Sequence, residues 1–183
     1  ISRVADFDVN ILLLGPSGVG KTTFAKIIHQ SSSRREGPFI DINCAAIPDN
    51  LLESELFGYE KGAFTGANNT GKIGLIELAN RGTLLLDEIS EMPLNLQAKL
   101  LKTIQDKAIR RIGGTKQISV DFRLITASNR DLAALVDEGK FREDLFYRLN
   151  VVNITVPPLK DRKEDILPLC DYFLDKINKK YGI

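Results

Sequence analysis

The sequence predicts an α/β sandwich with a mostly parallel sheet, and three observations carry that reading. Apolar stretches at residues 11–14, 82–88 and 122–129 read as buried strands, and that at 82–88 is continuous rather than alternating, as expected of a strand buried on both faces. Each run ends in polar or glycine residues, at Gly15, at Asp87-Glu88 and at Ser128-Asn129. Between them lie segments with apolar residues at helical spacing.

Composition sets the outer bounds. A chain of 183 residues with 43% hydrophobic content can bury one good core and a small appendage. Lys plus Arg number 25 against 24 Asp plus Glu, a net charge of +1. That balance argues against a chain that holds duplex DNA by itself. No apolar run is long enough to span a membrane, and no signal peptide is read. Cys44 and Cys170 lack C-x-x-C spacing, so two buried, reduced thiols and a cytoplasmic location are expected. His29, the only histidine, falls near a helix end and is assigned a capping or surface role.

In chain order, residues 1–10 have no clear period. The strand at 11–14 runs into Gly15-Pro16-Ser17-Gly18-Val19-Gly20-Lys21-Thr22-Thr23, which contains G-x-x-x-x-G-K-[ST] between a strand and a helix. Gly18 and Gly20 let the backbone curl and aim its N–H groups inward at phosphate oxygens. Lys21 supplies a point charge for the β- and γ-phosphates, and the Thr22 hydroxyl suits Mg²⁺.

Residues 23–30 read as a helix with Phe24, Ile27 and Ile28 on its apolar face, followed by a polar loop at 31–38 and a short strand at 39–43. Pro48 and Asp49 open a helix carrying Leu51, Leu52, Leu56 and Phe57. From Gly58 to Gly74 the segment is too long and too glycine-rich for an ordinary connection, which marks it as functional. A helical pattern resumes at 73–79, and another helix spans 93–104 with Leu96, Leu100, Leu101 and Ile104 inward. Residues 109–120, with Gly113-Gly114, form a β-hairpin or a looped insertion. A short helix follows at 132–136, a charged helix at 141–149, a last strand at 151–156 and a final helix at 161–180. That final helix carries Ile166, Leu167, Leu169, Phe173, Leu174 and Ile177 roughly on one face.

Parallel neighbouring strands would bring their carboxyl ends to one crevice. Asp87 could then hold Mg²⁺ with Thr22, while Glu88 deprotonates a water attacking the γ-phosphate and Asn129 hydrogen-bonds that water or the phosphate. The alternative for Asp87-Glu88 is a helix N-cap. Arg142 and Arg148 read either as a solvated helix face paired with Glu143 and Asp144 or as arginines that neutralise charge at a neighbour's site.

The stretch Gly62-Ala63-Phe64-Thr65-Gly66-Ala67 spells GAFTGA. Together with Asn43-Cys44-Ala45-Ala46, Arg110-Arg111-Ile112-Gly113-Gly114 and Phe141-Arg142-Glu143-Asp144-Leu145-Phe146-Tyr147-Arg148, it makes nearly the whole chain resemble the central AAA+ ATPase domain of bacterial sigma-54-dependent transcription activators. The resemblance implies a P-loop NTPase three-layer sandwich over residues 1–160 and the first helix of a helical lid over 161–183. It implies ATP and Mg²⁺ as ligands, a hexameric ring as the working assembly, and Arg142 and Arg148 reaching the neighbour's nucleotide. Asn43 matches the residue that holds the catalytic glutamate, and Asn129 the sensor I position.

Gly62 through Ala67 match the loop that touches the sigma-54 subunit of RNA polymerase and remodels it as ATP is hydrolysed, supported by a second loop around 113–119. Adenine-contacting residues, the lid's sensor II arginine and the domain that makes most DNA contact are expected outside this chain, which then reads as the core of a longer protein. The competing expectation is a nucleotide-binding regulatory module, or a remodeller of another protein substrate, with little hydrolysis by the fragment alone. Pro16 and Thr22 both depart from the family's usual glutamates, and Thr22 brings the loop nearer to phosphate-loop proteins in general.

Overall fold

A computed structural model describes residues 2–63 and 70–182. Five strands form one wholly parallel sheet: β1 Ile11–Leu14, β2 Phe39–Asn43, β3 Thr83–Asp87, β4 Arg123–Ser128 and β5 Val152–Thr155. Their spatial order is β2-β3-β4-β1-β5. In the central strand β4 every residue is buried, which explains why the sequence there shows no polar alternation.

The two faces are covered unequally. On one, Ile11, Leu13, Leu85, Ile125 and Ala127 pack against Ala25 and Ile28 of α1 (Lys21–Gln30). On the other, Leu12, Leu84, Leu86 and Leu124 join a larger core. That core includes residues of α2 (Asp49–Phe57), α3 (Leu94–Asp106), α4 (Leu132–Asp137) and α5 (Glu143–Leu149).

Several expectations are corrected by this packing. Ile27 points outward at 41% exposure, and Leu51 is exposed as well; Ala25, Ile28 and His29 make the buried face of α1 with Lys21. His29 is buried, with Nδ1 2.9 Å from the Thr83 hydroxyl, because α1 crosses the sheet and drives its last turn onto the start of β3. Only Cys44 is a buried thiol; Cys170 is exposed. A one-turn helix, Ser2–Ala5, precedes β1. The final helix begins later than expected, after two 3₁₀ turns at Leu159–Asp161 and Lys163–Asp165. It spans Ile166–Tyr181 (α6), and none of its residues is buried. Its apolar face therefore contributes nothing to the core; Leu167 is 74% exposed. No helix among the described residues is long and apolar enough to cross a membrane.

Both insertions are zipped at their bases. Gly58–Tyr59 pairs antiparallel with Lys72–Ile73, closing the stem of the long glycine-rich segment. A Cβ on Gly58 would lie 2.4 Å from the Lys72 carbonyl oxygen, and one on Gly74 2.4 Å from the Phe57 carbonyl carbon, so these two glycines serve close backbone approach. The 109–120 segment is a hairpin whose paired residues are Ala108–Ile109 and Ile118–Ser119. The two insertions are also joined to each other. Glu60 N–H donates to the Ile112 carbonyl at 3.0 Å, and Ile112 N–H donates to Gly58 at 2.9 Å. The Arg111 guanidinium binds both oxygens of Glu77 at 2.9 and 3.0 Å and reaches Glu60 at 3.3 Å. Of the GAFTGA stretch, Gly62 and Ala63 extend from this joined base; Phe64, Thr65, Gly66 and Ala67 lie outside the described residues.

Candidate functional site

The carboxyl ends of β1, β3 and β4 are adjacent in the sheet, and their polar residues meet. The loop after β1 turns through Gly18 at φ 82° and Gly20 at φ 96°, left-handed backbone in which glycine is favoured. A Cβ on either would meet nothing within 4 Å, so it is the left-handed backbone and not crowding that favours glycine here. The helix α1 begins at Lys21, directly after Gly20, which puts its free N–H groups at the end of the loop. Lys21 is 5% exposed; its Nζ donates to the Gly15 carbonyl at 2.9 Å and lies 3.6 Å from Glu88 Oε1.

Thr22 and Asp87 face each other across the crevice, Thr22 Oγ1 donating to Asp87 Oδ2 at 3.3 Å. Among the described residues no cluster of three or more His, Cys, Asp or Glu could hold a metal by itself. A hydroxyl and one carboxylate fit an ion that takes its remaining ligands from water and phosphate oxygens, which is how Mg²⁺ binds beside nucleotides.

Glu88 stands at the centre of the crevice. Its backbone is left-handed, φ 50° and ψ 50°, a conformation that costs a non-glycine residue on the order of 1–3 kcal/mol and clusters at functional sites. Asp87 Oδ1 accepts from Glu88 N–H at 2.9 Å and stabilises the turn. The Glu88 carboxylate accepts from Asn129 N–H at 3.2 Å and from the Ser17 hydroxyl at 3.4 Å. Asn129 Nδ2 donates to Ser17 Oγ at 3.0 Å, so Ser17 bridges loop, acid and β4. This turn is no helix N-cap of the usual kind, since neither acidic side chain caps the short 3₁₀ turn at Ile89–Glu91.

Other candidate residues lie apart from this cluster. Asn43, at the end of β2 and in register with Asp87, uses Oδ1 to accept from Ala45 N–H at 2.9 Å. Cys44 beside it has its thiol pushed up to about 12 by burial, reinforced by the negative charges of Asp87 and Glu88, which makes it an unreactive thiol. Arg142 is the N-cap of α5. Its N–H donates to the buried Gln97 at 2.8 Å, and its guanidinium grips Asp144 at 2.7 and 3.0 Å. That grip holds the Asp144 carboxyl below its usual range. The Arg148 carbonyl accepts from Asn10, at the amino end of β1. This is about 16 Å of extended chain from the phosphate loop and out of reach of the site in its own chain.

Residues 1–155 match the Sigma-54 interaction domain family. The chain belongs to that family. It is 58% identical over 179 residues to the regulatory protein AtoC of Escherichia coli, covering 98% of this chain and 39% of AtoC. It is 55% identical over 181 residues to the transcriptional regulatory protein FlbD of Caulobacter vibrioides, covering 99% of this chain and 40% of FlbD. This member therefore spans about two fifths of the length of these relatives. Among solved structures it is similar to NtrX of Brucella abortus in complex with ADP, with a TM-score of 0.90 at 42% identity over the whole chain and 39% of NtrX. A P-loop NTPase domain of a sigma-54 activator from E. coli shares the fold, with a TM-score of 0.56 at 21% identity. It is matched over 86% of this chain and 89% of that one. The fold of this family member is thus that of a P-loop NTPase. The sequence did not signal the contacts of two arginines: Arg162 donates to the Val19 carbonyl of the loop, and Arg123 to the Val4 and Ala5 carbonyls at the opposite end of the sheet.

Proposed function

We propose that this chain is the ATP-hydrolysing core of a sigma-54-dependent transcription activator. The observation that carries the reading is the convergence of Lys21, Thr22, Asp87, Glu88 and Asn129 on the open mouth of the phosphate loop. Lys21 and the loop N–H groups bind the β- and γ-phosphates, and Thr22 with Asp87 would hold Mg²⁺, which supplies charge neutralisation at the transferring phosphoryl group. Glu88 takes the proton of the attacking water; its backbone turn and the Ser17 and Asn129 contacts aim its carboxylate at the γ-phosphate position. Asn129, bonded to Ser17 of the loop and to Glu88, senses which phosphates are present. Asn43, one strand away, is the candidate to take hold of Glu88 when the nucleotide state changes.

Arg142 and Arg148 serve a neighbouring copy in a ring, for which a hexamer is the family expectation. The position of Arg148 at the far end of β1 favours action in trans over action within one chain. The loop from Gly62 to Ala67 contacts sigma-54, and its stem moves together with the second hairpin because Arg111 and the Ile112 backbone join them. Residues 161–183 begin a lid subdomain on the 1–160 core, in a cytoplasmic protein.

Two measurements test this reading. Equal mixtures of Glu88→Gln and Arg142→Ala chains, each nearly inactive alone, are expected to regain ATPase activity, since a wild-type base then meets a wild-type arginine across one interface. No recovery in the mixture refutes the trans role. Thr65→Ala is expected to leave ATP hydrolysis largely intact while open-complex formation at a sigma-54 promoter is lost. Normal promoter opening by that variant defeats the loop assignment.

A further inference from the structure

The segment between β5 and α6 passes along the outer side of the phosphate loop and is fastened to it at both ends. At one end, Val156 N–H donates to the Leu14 carbonyl at 2.7 Å, and a Cβ on Gly15 would lie 2.4 Å from the Val156 carbonyl oxygen. At the other, Arg162 Nη2 donates to the Val19 carbonyl at 2.7 Å. The Arg162 guanidinium stands 5.9 Å from the ring centre of Phe24 on α1, while Nη1 lies 3.4 Å from Asp165 at the start of α6. Its side chain is 15% exposed, and Nε is buried without a hydrogen-bond partner.

A loop that turns its N–H groups inward turns carbonyls outward, and those need donors of their own. The Gly15 and Pro16 carbonyls are served from the crevice side by Lys21, whose ammonium also lies 3.6 Å from Glu88. The Val19 carbonyl depends on Arg162, whose bond makes no demand on the phosphate side and can persist through turnover. Val19 immediately precedes Gly20 and Lys21, where the backbone swings into α1.

We propose that Arg162 is a positioning residue for nucleotide binding: it fixes the phosphate loop through the Val19 carbonyl and links the loop's shape to the segment that enters α6. The proposal rests on the nucleotide-binding reading of the site. A charge-assisted bond of this kind corresponds to about a tenfold change in affinity.

The test uses the intact chain with ADP and ATP as probes. Arg162→Ala is expected to raise the Kd for ADP and the KM for ATP about tenfold while kcat changes by less than about threefold. Arg162→Lys, which keeps one donor and the charge, is expected to recover most of that loss. Wild-type affinity in a folded Arg162→Ala chain, or a fall in kcat with KM unchanged, overturns the proposal. Hydrogen exchange in the unaltered protein covers the case in which Arg162→Ala does not fold. ADP is expected to protect residues 156–165 along with residues 15–21, and protection of the loop alone overturns the link. A wild-type chain that binds neither nucleotide refutes the reading of the site itself, whereas wild-type binding with an indifferent Arg162→Ala chain refutes only the role of Arg162.

Discussion

At the carboxyl end of the sheet the Glu88 carboxylate is held at 3.2 Å by Asn129, 3.4 Å by Ser17 and 3.6 Å by Lys21. At the amino end, Arg34 binds Asp8 at 2.6 and 2.9 Å and Asp121 at 2.9 Å. Nearby, Arg123 binds the Val4 and Ala5 carbonyls at 2.8 and 2.9 Å. Both ends are crowded with charge, and the lengths separate their uses. Short contacts at the amino end stabilise the fold, fastening the turn before β1 and the loop after α1 to the sheet, although Arg123 Nε is buried there without a hydrogen-bond partner. At the Glu88 carboxylate, longer contacts shared among three donors leave it able to turn toward a ligand. Backbone conformation does not separate the ends: Glu88 takes a left-handed turn at φ 50°, and so does Arg81 at φ 63°, just before β3 and bonded to the Asp121 carbonyl.

The comparison breaks most visibly at Glu88. Glu88→Gln removes the proton acceptor while keeping size and hydrogen bonding, so the steady-state ATPase rate is expected to fall by about 10²–10⁴. Nucleotide affinity should stay near wild type and the melting temperature should hold or rise, because a strained acid in a reserved site contributes little to the fold. A large loss of stability in this variant would make the carboxyl end structural after all. The reciprocal change is Arg123→Gln. It removes charge-assisted bonds to two carbonyls from a buried position, which is expected to cost about 2 kcal/mol in denaturant unfolding. ADP affinity should stay unchanged. An affinity loss larger than the stability loss would show that the amino end communicates with the nucleotide.

Much of the carboxyl end was legible in the sequence, because its signals are local. Gly18, Gly20, Lys21 and Thr22 sit in one contiguous motif, Asp87 and Glu88 end an apolar run, and Asn129 follows the polar end of another buried strand. What stayed hidden was set by tertiary contacts. No pattern around Glu88 announces a left-handed residue. The Ser17 bridge needs the loop and β4 side by side, and the contact of Arg162 with Val19 spans 143 positions. The helix α1 was placed correctly, but its period alone could not say whether Ile27 or His29 meets the sheet. The helix pattern after Pro158 was read as apolar on one face, and that face is exposed among the described residues, because an amphipathic stripe does not say what covers it. The sequence marked Gly58 and Gly74 only as the bounds of a glycine-rich segment; the close backbone approach by which they shut its stem is a tertiary contact.

His29 gives the finest test of the amino end. Burial first, and the nearby charge of Arg123 second, hold its imidazole below the usual 6.5, so the folded state keeps it neutral beside Thr83. The unfolded chain takes up a proton as the pH drops through 6.5, and the folded chain does not until its lower value is reached. Stability from this residue is therefore full above 6.5, declines as the pH falls below it, and levels off once the folded pKa has been passed. Melting curves taken from about pH 7.5 down to about pH 5.5 are expected to show a drop of a few degrees at most that is absent in His29→Gln, with the pH dependence of ADP affinity the same in both folded proteins. An equal slope in both proteins would remove His29 from the account. A pH dependence of ADP affinity that differed between wild type and His29→Gln while the fold held would mean that protonation at the amino end is felt along α1 at Lys21, and the two ends of the sheet would no longer be independent.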